Sequence, residues 1–229
     1  MKKEFAKIKA GMERVGIDTS GLLPFADLLN QYKNVNDTPI DVATLPLVAA
    51  YLQLTLDSKF QKLVGFNREH KRFLSRLSVS QTAISKSEPH VAIIDLAARA
   101  GTVDFAFDLT ISDRPGDYYP MDKETTHFFQ ISTTLLDLSS CDLSKRVIEK
   151  RLETLRQALG DDYSIYLDDQ PPVAGVVFLS VLGYPSTPTL GSLMENILNF
   201  LAIMPDVAPV FSELFDDAEP KSFCFKPVG

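Results

Sequence analysis

The stretch Gly101-Thr102-Val103-Asp104-Phe105-Ala106-Phe107-Asp108-Leu109-Thr110-Ile111-Ser112-Asp113 carries the most regular pattern in the sequence. From 103 to 112 large apolar residues alternate with polar or small ones, and this period of two predicts a strand with one buried and one wet face. The run just before it, residues 91–98, is almost continuously apolar and lies between Pro89 and Gly101. That pattern is typical of a buried strand. We expect the two strands to pair antiparallel.

Towards the C-terminus, apolar spacing and turn residues predict the remaining elements of this region. They are a strand at 127–138, a helix at 144–159, strands at 163–167 and 173–182, and a last helix that Thr189 caps and that runs from 190 to about 201. Towards the N-terminus, apolar residues recur every three or four positions, which predicts helices over the first 80 residues. One of these helices is expected at about 57–77, followed by a polar linker at 81–89.

The predicted fold class is therefore α+β: a helical N-terminal module followed by an antiparallel sheet or β-sandwich with two helices. The predicted domains are a helical module at 1–80, a linker or loop at 81–89, and an antiparallel α+β module at 90–229. The chain of 229 residues is long enough for a substantial core.

Charge is unevenly distributed along the chain. Residues 1–89 hold 13 Lys/Arg and 9 Asp/Glu, a balance of +4, whereas residues 90–229 hold 10 and 21, a balance of −11. An acidic chain is a poor general binder of nucleic acid, because such binding draws on clustered cations. Opposite charges in the two halves predict that the halves attract each other, within one chain or between copies.

Sequence signatures of the common enzyme classes are missing. There is no phosphate-binding glycine loop, no nucleophile elbow, and no His or Cys pair at metal-ligand spacing. We therefore predict no cofactor and no resident metal, and we favour a protein that is not an enzyme. The charged N-terminus and the lack of a long unbroken apolar run predict a cytoplasmic protein without a transmembrane segment.

Three aspartates suggest an alternative function, a catalytic metal site. Asp104 and Asp108 share one face of the predicted strand, and with Asp113 they would form a divalent-cation site for a metal-dependent hydrolase or nuclease if they converged. Nucleases of this kind carry a Glu or Gln and a Lys on the following strand. This chain has Gln130-Ile131-Ser132 there, so the lysine is missing. The simpler interpretation is that these carboxylates keep the wet face of a strand soluble.

Two segments are candidates for contacts with partners. One is a basic cluster interleaved with Phe66 and Phe73, made of Lys59, Lys62, Arg68, Lys71, Arg72 and Arg76. It would suit nucleic acid, an acidic lipid surface or the acidic half of the chain, or it is simply a solvated helix face. The other is the loop with adjacent Tyr118 and Tyr119, which can bury much area at little entropic cost.

The alternating segment 101–113 resembles the corresponding segment in the matrix proteins of rhabdoviruses. The order of strands and helix over residues 90–184 is also similar to that of viral movement proteins of the 30K type. The resemblance implies a self-assembling viral β-module, and it transfers no functional residue.

Three hypotheses follow from the sequence. The first is a non-enzymatic interaction or assembly protein, viral and matrix-like, that forms homo-oligomers through opposite charges on its two modules. The second is the metal-dependent hydrolase at Asp104, Asp108 and Asp113. The third is a nucleic-acid-binding module that uses the basic cluster at 59–76.

Overall fold

A computed structural model of the chain describes residues 37–44, 48–49, 52, 73–84, 90–114, 124–159, 163–170 and 174–227. The described residues form one seven-stranded antiparallel sheet and two α-helices. The strands are β1 (Leu74–Ile84), β2 (Val91–Ala100), β3 (Val103–Ser112), β4 (His127–Asp137), β5 (Ser164–Asp168), β6 (Gly175–Tyr184) and β7 (Phe225–Pro227). The helices are α1 (Lys145–Ala158) and α2 (Leu190–Leu214). The strand order is β1-β2-β3-β4-β6-β5, and β7 pairs with β3.

The hairpin of β2 and β3 confirms the prediction made from residues 91–113. Ala100 pairs with Val103 across a turn formed by Gly101 and Thr102. Gly101 has a φ of +56°, a conformation that side chains with a Cβ rarely adopt. A Cβ at this position would also lie 3.0 Å from Cγ of Pro205 in α2. Glycine is therefore required both by the turn and by the close approach of the helix.

One face of the sheet is the core of the molecule. The alternating residues of β3 that were predicted to be inside are all buried: Val103, Phe105, Phe107, Leu109 and Ile111. Phe200 of α2 lies between two strands, with ring centroids 6.2 Å from Phe107 and 5.3 Å from Phe178. Aromatic contacts of this kind add to the large apolar area that each ring buries. Helix α2 is thereby fixed on the sheet.

The sheet splits along one edge of β3. Residues 108–112 of β3 pair with β4, whereas residues 103–105 pair with β7 at the end of the described chain. Strand β7 fills the gap because β4 no longer pairs with β3 beyond Ser132, where Thr133 Oγ1 instead donates a hydrogen bond of 2.6 Å to the carbonyl of Ala106. The segment before β7 touches β4, since the backbone N–H of Cys224 donates to Leu135 O. The C-terminal strand therefore joins the two halves of the sheet.

The predicted fold class is wrong in its N-terminal part. A helical N-terminal module is not seen in the described residues, which form a single sheet with α1 and α2 following its first four strands. Residues 74–77, expected at the end of a helix, belong to β1, and so do residues 81–84 of the expected linker. The other expected helices before residue 73 fall largely outside the described residues. A second sheet, as in a β-sandwich, is not present in the described part either.

A β-bulge near the start of β1 explains why this strand looked helical in the sequence. The register with β2 shifts between Leu74 and Arg76 and again between Val79 and Gln81. An extra residue in a strand changes the alternation of faces, because two residues then stand opposite one. Leu74 and Leu77 are therefore both buried although they are three positions apart, which is also the spacing of a helix face.

Residues from the first part of the chain share the core of the sheet. Ile40, Val48 and Leu52 are fully buried in the same apolar cluster as the sheet and α2. The segment at 38–40 also bonds to the start of α2, because Ile40 N donates to Pro188 O and Leu190 N donates to Thr38 O. The predicted boundary at 81–89 therefore lies between segments that contribute to one core.

Helix α2 is longer than predicted. It begins at Leu190 behind the cap residue Thr189, as the sequence indicated, and the structure adds a capping box with Ser192. The helix continues through Pro205 and Pro209 to Leu214. By length and composition it is the one described helix that is apolar enough to cross a membrane. Its inward residues pack into the core, and its outward positions include Glu195, Asp206 and Glu213. This pattern is typical of a core helix with a solvated stripe.

Candidate interaction face

Most of the predicted contact residues lie outside the described part of the chain. This holds for Lys59, Lys62, Arg68, Lys71, Arg72, Tyr118 and Tyr119. Arg76 is described, and it lies on β1 rather than on a helix. Its guanidinium is half-exposed and lies 3.7 Å from the Asp104 carboxylate on β3. At Arg76, the predicted basic cluster therefore lies on the sheet.

The three aspartates of the hydrolase hypothesis are not brought together. Asp104 and Asp113 are nine residues apart along an extended segment, which corresponds to about 30 Å. Asp104 is held by Arg99, with Nε–Oδ1 and Nη2–Oδ2 distances of 3.0 and 2.5 Å. Asp113 lies 3.3 Å from Nδ1 of His90 at the other end of the strand. In the described residues no group of three His, Cys, Asp or Glu side chains is placed to hold a metal ion.

The face of β1–β3 that points away from α2 is organised in rows across the strands. We call three neighbouring rows of this face, which follow from the strand register, the polar face. The next row beyond them contains Thr110 and the exposed Ile93, and it is not included in the polar face. The basic row contains Arg76, Arg99, Asp104 and Lys226. The middle row contains Ser78, Ala97 and Ala106. The acidic row contains Gln81, Asp95, Asp108 and Ser132.

The basic row runs across β1, β2, β3 and β7. Three cations surround the single carboxylate of Asp104, so the row carries a net charge of +2. Hydrogen bonds from Arg99 lower the pKa of Asp104, and Arg76 and Lys226 act in the same direction. Because Arg99 and Asp104 pair with each other, Arg76 and Lys226 are the exposed cations of this row.

The acidic row has the opposite character. Asp95 on β2 and Asp108 on β3 stand directly opposite each other, between Gln81 and Ser132. Burial and, second, the Asp95 carboxylate raise the pKa of Asp108 to about 6. The residue as a whole keeps an exposed surface, so the raised pKa reflects partial rather than full removal of water from the carboxylate. At pH 7 the row carries close to two negative charges.

The middle row separates these charges with small side chains. Ala97 pairs with Ala106, and Ser78 pairs with Ala97. Ser78 and Ala106 are exposed and Ala97 is partly exposed. Because all three side chains are short, the centre of the polar face lies lower than its two charged rows. Another surface can therefore approach the backbone closely there.

The same side of the sheet is closed at its other end. Phe128, Val177 and Leu179 alternate onto this side of β4 and β6, and their exposed fractions are 1%, 9% and 4%. None of them belongs to the apolar cluster on the helix side. Among the described residues on this side, those of the polar face are therefore more exposed than these three residues of β4 and β6.

Helix α1 carries five basic side chains, and three of them are paired with acidic groups. Lys145 lies 2.7 Å from Asp169, and Arg151 forms two hydrogen bonds with Asp217. Arg156 contacts Glu149 at 3.1 Å. Helix α1 thus offers less uncompensated positive charge than its sequence suggests.

The polar face was missed by the sequence analysis, although one signal was present. A two-residue turn at Gly101 and Thr102 fixes the register of the hairpin, since each residue then pairs with its mirror position about the turn. That register alone places Asp95 opposite Asp108 and Arg99 opposite Asp104. The positions of Arg76 and Lys226 were not accessible in this way, because they depend on the bulges in β1 and on the split of the sheet.

Sequence comparison places this chain in no family. No family model matches the sequence, and no curated protein does. The resemblance of residues 90–184 to viral matrix and movement proteins therefore stays a prediction, as do the expected viral origin and cytoplasmic localisation.

Proposed function

We propose that the protein is a non-enzymatic assembly protein that self-associates through opposite charges. The observation that supports this function most directly is the polar face, on which a row with net charge +2 and a row with net charge −2 lie side by side on one sheet. From the sequence we expected the opposite charges on two separate modules. The proposal now locates them on one surface, so that each copy presents both signs to the other.

Charge separation of this kind favours association between copies over solubility alone. A surface on which positive and negative charges are randomly mixed has no net attraction for a second copy. Charges that are separated into a positive and a negative row give an electrostatic potential that is complementary to a second copy in one orientation. Exposed charges more than about 8 Å apart are screened at physiological ionic strength. The association is therefore expected to be strong at low salt and weaker at high salt.

Light scattering coupled to size-exclusion chromatography tests this function on the purified chain at about 20 mM and 500 mM NaCl. We expect a dimer or larger species at low salt and a shift towards the monomer at high salt. A monomer at low salt and a high protein concentration would overturn the proposed function.

The nucleic-acid hypothesis has support from one described residue, because the exposed Arg76 lies on the edge strand β1. Arg76 is close to Asp104, however, so its charge is partly compensated. Charge reversal at Arg68, Lys71 and Arg72 together is the discriminating change. If these residues bind nucleic acid, the variant loses binding in a mobility-shift assay while its circular dichroism spectrum is unchanged, whereas equal binding by both proteins would refute this use of the cluster.

A further inference from the structure

The polar face has an approximate antisymmetry of charge. The basic and acidic rows lie on either side of the middle row and are four residues apart along β2, from Asp95 to Arg99. This separation corresponds to about 13 Å. A rotation of 180° about an axis along the middle row would exchange the two rows and turn the face over.

We infer that two copies of the chain dock with their polar faces against each other, about a two-fold axis that runs along the row of Ser78, Ala97 and Ala106. The basic row of each copy then lies on the acidic row of the other. This inference rests on the proposed self-association and adds its surface, its partner and its symmetry.

Symmetry makes a second copy the best-matched partner for this face. In a two-fold dimer the same patch is used twice, so the patch must be complementary to itself. The net charges of +2 and −2 satisfy that condition only when the strands of the two copies run in opposite directions. With the strands in the same direction, basic row would meet basic row and the faces would repel each other.

The shape of the face is compatible with this packing. Two sheets pack face to face about 10 Å apart, with their strands rotated by about 30°. Small side chains at Ala97 and Ala106 leave the axis free of bulk. The register then places Arg99 opposite Asp95 and Asp104, which is neutralised by Arg99, opposite Asp108 of the other copy. Arg76 and Lys226 lie opposite Gln81 and Ser132, one strand away from Asp95 and Asp108, and their long side chains can reach these carboxylates.

A charge-exchange experiment tests the inference in full-length protein. One variant, Asp95→Lys with Asp108→Lys, makes both rows positive. The other, Arg76→Glu with Lys226→Glu, makes both rows negative and leaves the Arg99–Asp104 pair intact. We expect each variant alone to associate more weakly than the wild type in sedimentation velocity, with a dissociation constant about tenfold higher or more. An equimolar mixture of the two variants should regain association.

A control variant carries the same change of charge elsewhere. Glu195→Lys with Asp206→Lys alters two exposed acidic positions on α2, on the opposite side of the sheet, and should associate like the wild type. Circular dichroism and thermal denaturation establish that all variants are folded.

The outcomes separate this inference from the proposed function. A wild-type monomer refutes both. A wild type that self-associates while the two polar-face variants associate equally well refutes the inference alone, since the interface is then elsewhere. Two dissociated variants that do not combine in the mixture also refute it, because the two rows then do not meet each other.

Discussion

Asp95 and Asp108 lie directly opposite each other on β2 and β3, two carboxylates paired across a hairpin. Like charges in this position destabilise a sheet, because the side chains of an opposed pair are close. The nearest cations on the polar face belong to the basic row, about 13 Å further along the strands. The pair is thus a local cost to the fold, which is consistent with a role of these charges in binding.

Replacing Asp108 with Asn should stabilise the protein at neutral pH. The folded-state pKa of Asp108 is raised to about 6, chiefly by burial and then by Asp95. A group with a raised pKa favours the folded state at low pH, and this contribution is lost as the pH rises through about 6. We expect Asp108→Asn to increase the free energy of unfolding by about 1 kcal/mol at pH 7.5, a figure reduced for solvent exposure, with little difference near pH 4.

Urea denaturation at pH 4 and pH 7.5, in dilute protein at high salt to suppress association, measures this effect. Asp104→Asn serves as the control with the opposite sign. Hydrogen bonds from Arg99 lower the pKa of Asp104, so this carboxylate stabilises the fold at neutral pH, and the contribution disappears as the pH falls through its folded value. A destabilised Asp108→Asn variant at pH 7.5 would contradict the prediction.

Association should weaken between pH 7 and pH 5. Protonation of Asp108 removes one of the two negative charges of the acidic row and so weakens its attraction to the basic row. The other titratable groups near this hairpin are Asp95 opposite it and Asp104 in the basic row, with His90 and Asp113 at the far end of the strands. We expect a severalfold higher dissociation constant at pH 5 in low salt.

Sedimentation velocity across this pH range gives the result. The informative comparison is Asp108→Asn, which has no carboxylate to titrate and should show a smaller change over the same range. Equal pH dependence in both proteins would mean that another group controls the association.

Gly101→Ala should destabilise the protein. The alanine would have to adopt a left-handed backbone conformation at φ +56°. Its methyl group would also lie only 3.0 Å from the Pro205 ring. Strain of this kind costs roughly 1–3 kcal/mol. Thermal denaturation measures the loss, and Ala97→Gly in the same hairpin, which lowers strand propensity but introduces no clash, provides a milder comparison. An unchanged melting temperature for Gly101→Ala would show that the turn relaxes.

The sheet after residue 90 was predictable because its signals are local. The alternation in β3, the bounds of β2 and the cap at Thr189 each depend on neighbouring residues and on periodicity. In contrast, β1 could not be recognised, since the bulge between Leu74 and Arg76 gives Leu74 and Leu77 the spacing of a helix. The full length of α2 was hidden by Pro205, which is read as a helix breaker although its ring packs on Gly101 in the structure.

The candidate site was less accessible than the fold. Asp104 and Asp108 were singled out as a pair along one strand, where a metal site was the natural hypothesis. Their actual partners, Arg99 and Asp95, lie across the hairpin and become neighbours only through its register. Lys226 is more than 100 positions away in sequence and reaches the face because β7 enters the split in the sheet. Long-range pairing of this kind leaves no periodic signal.

Phe225→Ala tests whether β7 holds the two halves of the sheet together. The ring of Phe225 is 4% exposed and lies 5.5 Å from the ring of Phe223 and 6.3 Å from that of Phe211. Removing a buried ring costs about 3–5 kcal/mol when the whole fold depends on it. We expect a loss in this range in urea denaturation, whereas Lys226→Ala, next to it but exposed, should change stability by less than about 0.5 kcal/mol. Hydrogen exchange tests the local effect. If β7 alone detaches, the amides of residues 103–105 and of Cys224 exchange faster, whereas the core of β2 stays protected. A small loss of global stability in that case would show that the sheet is stable without its C-terminal strand.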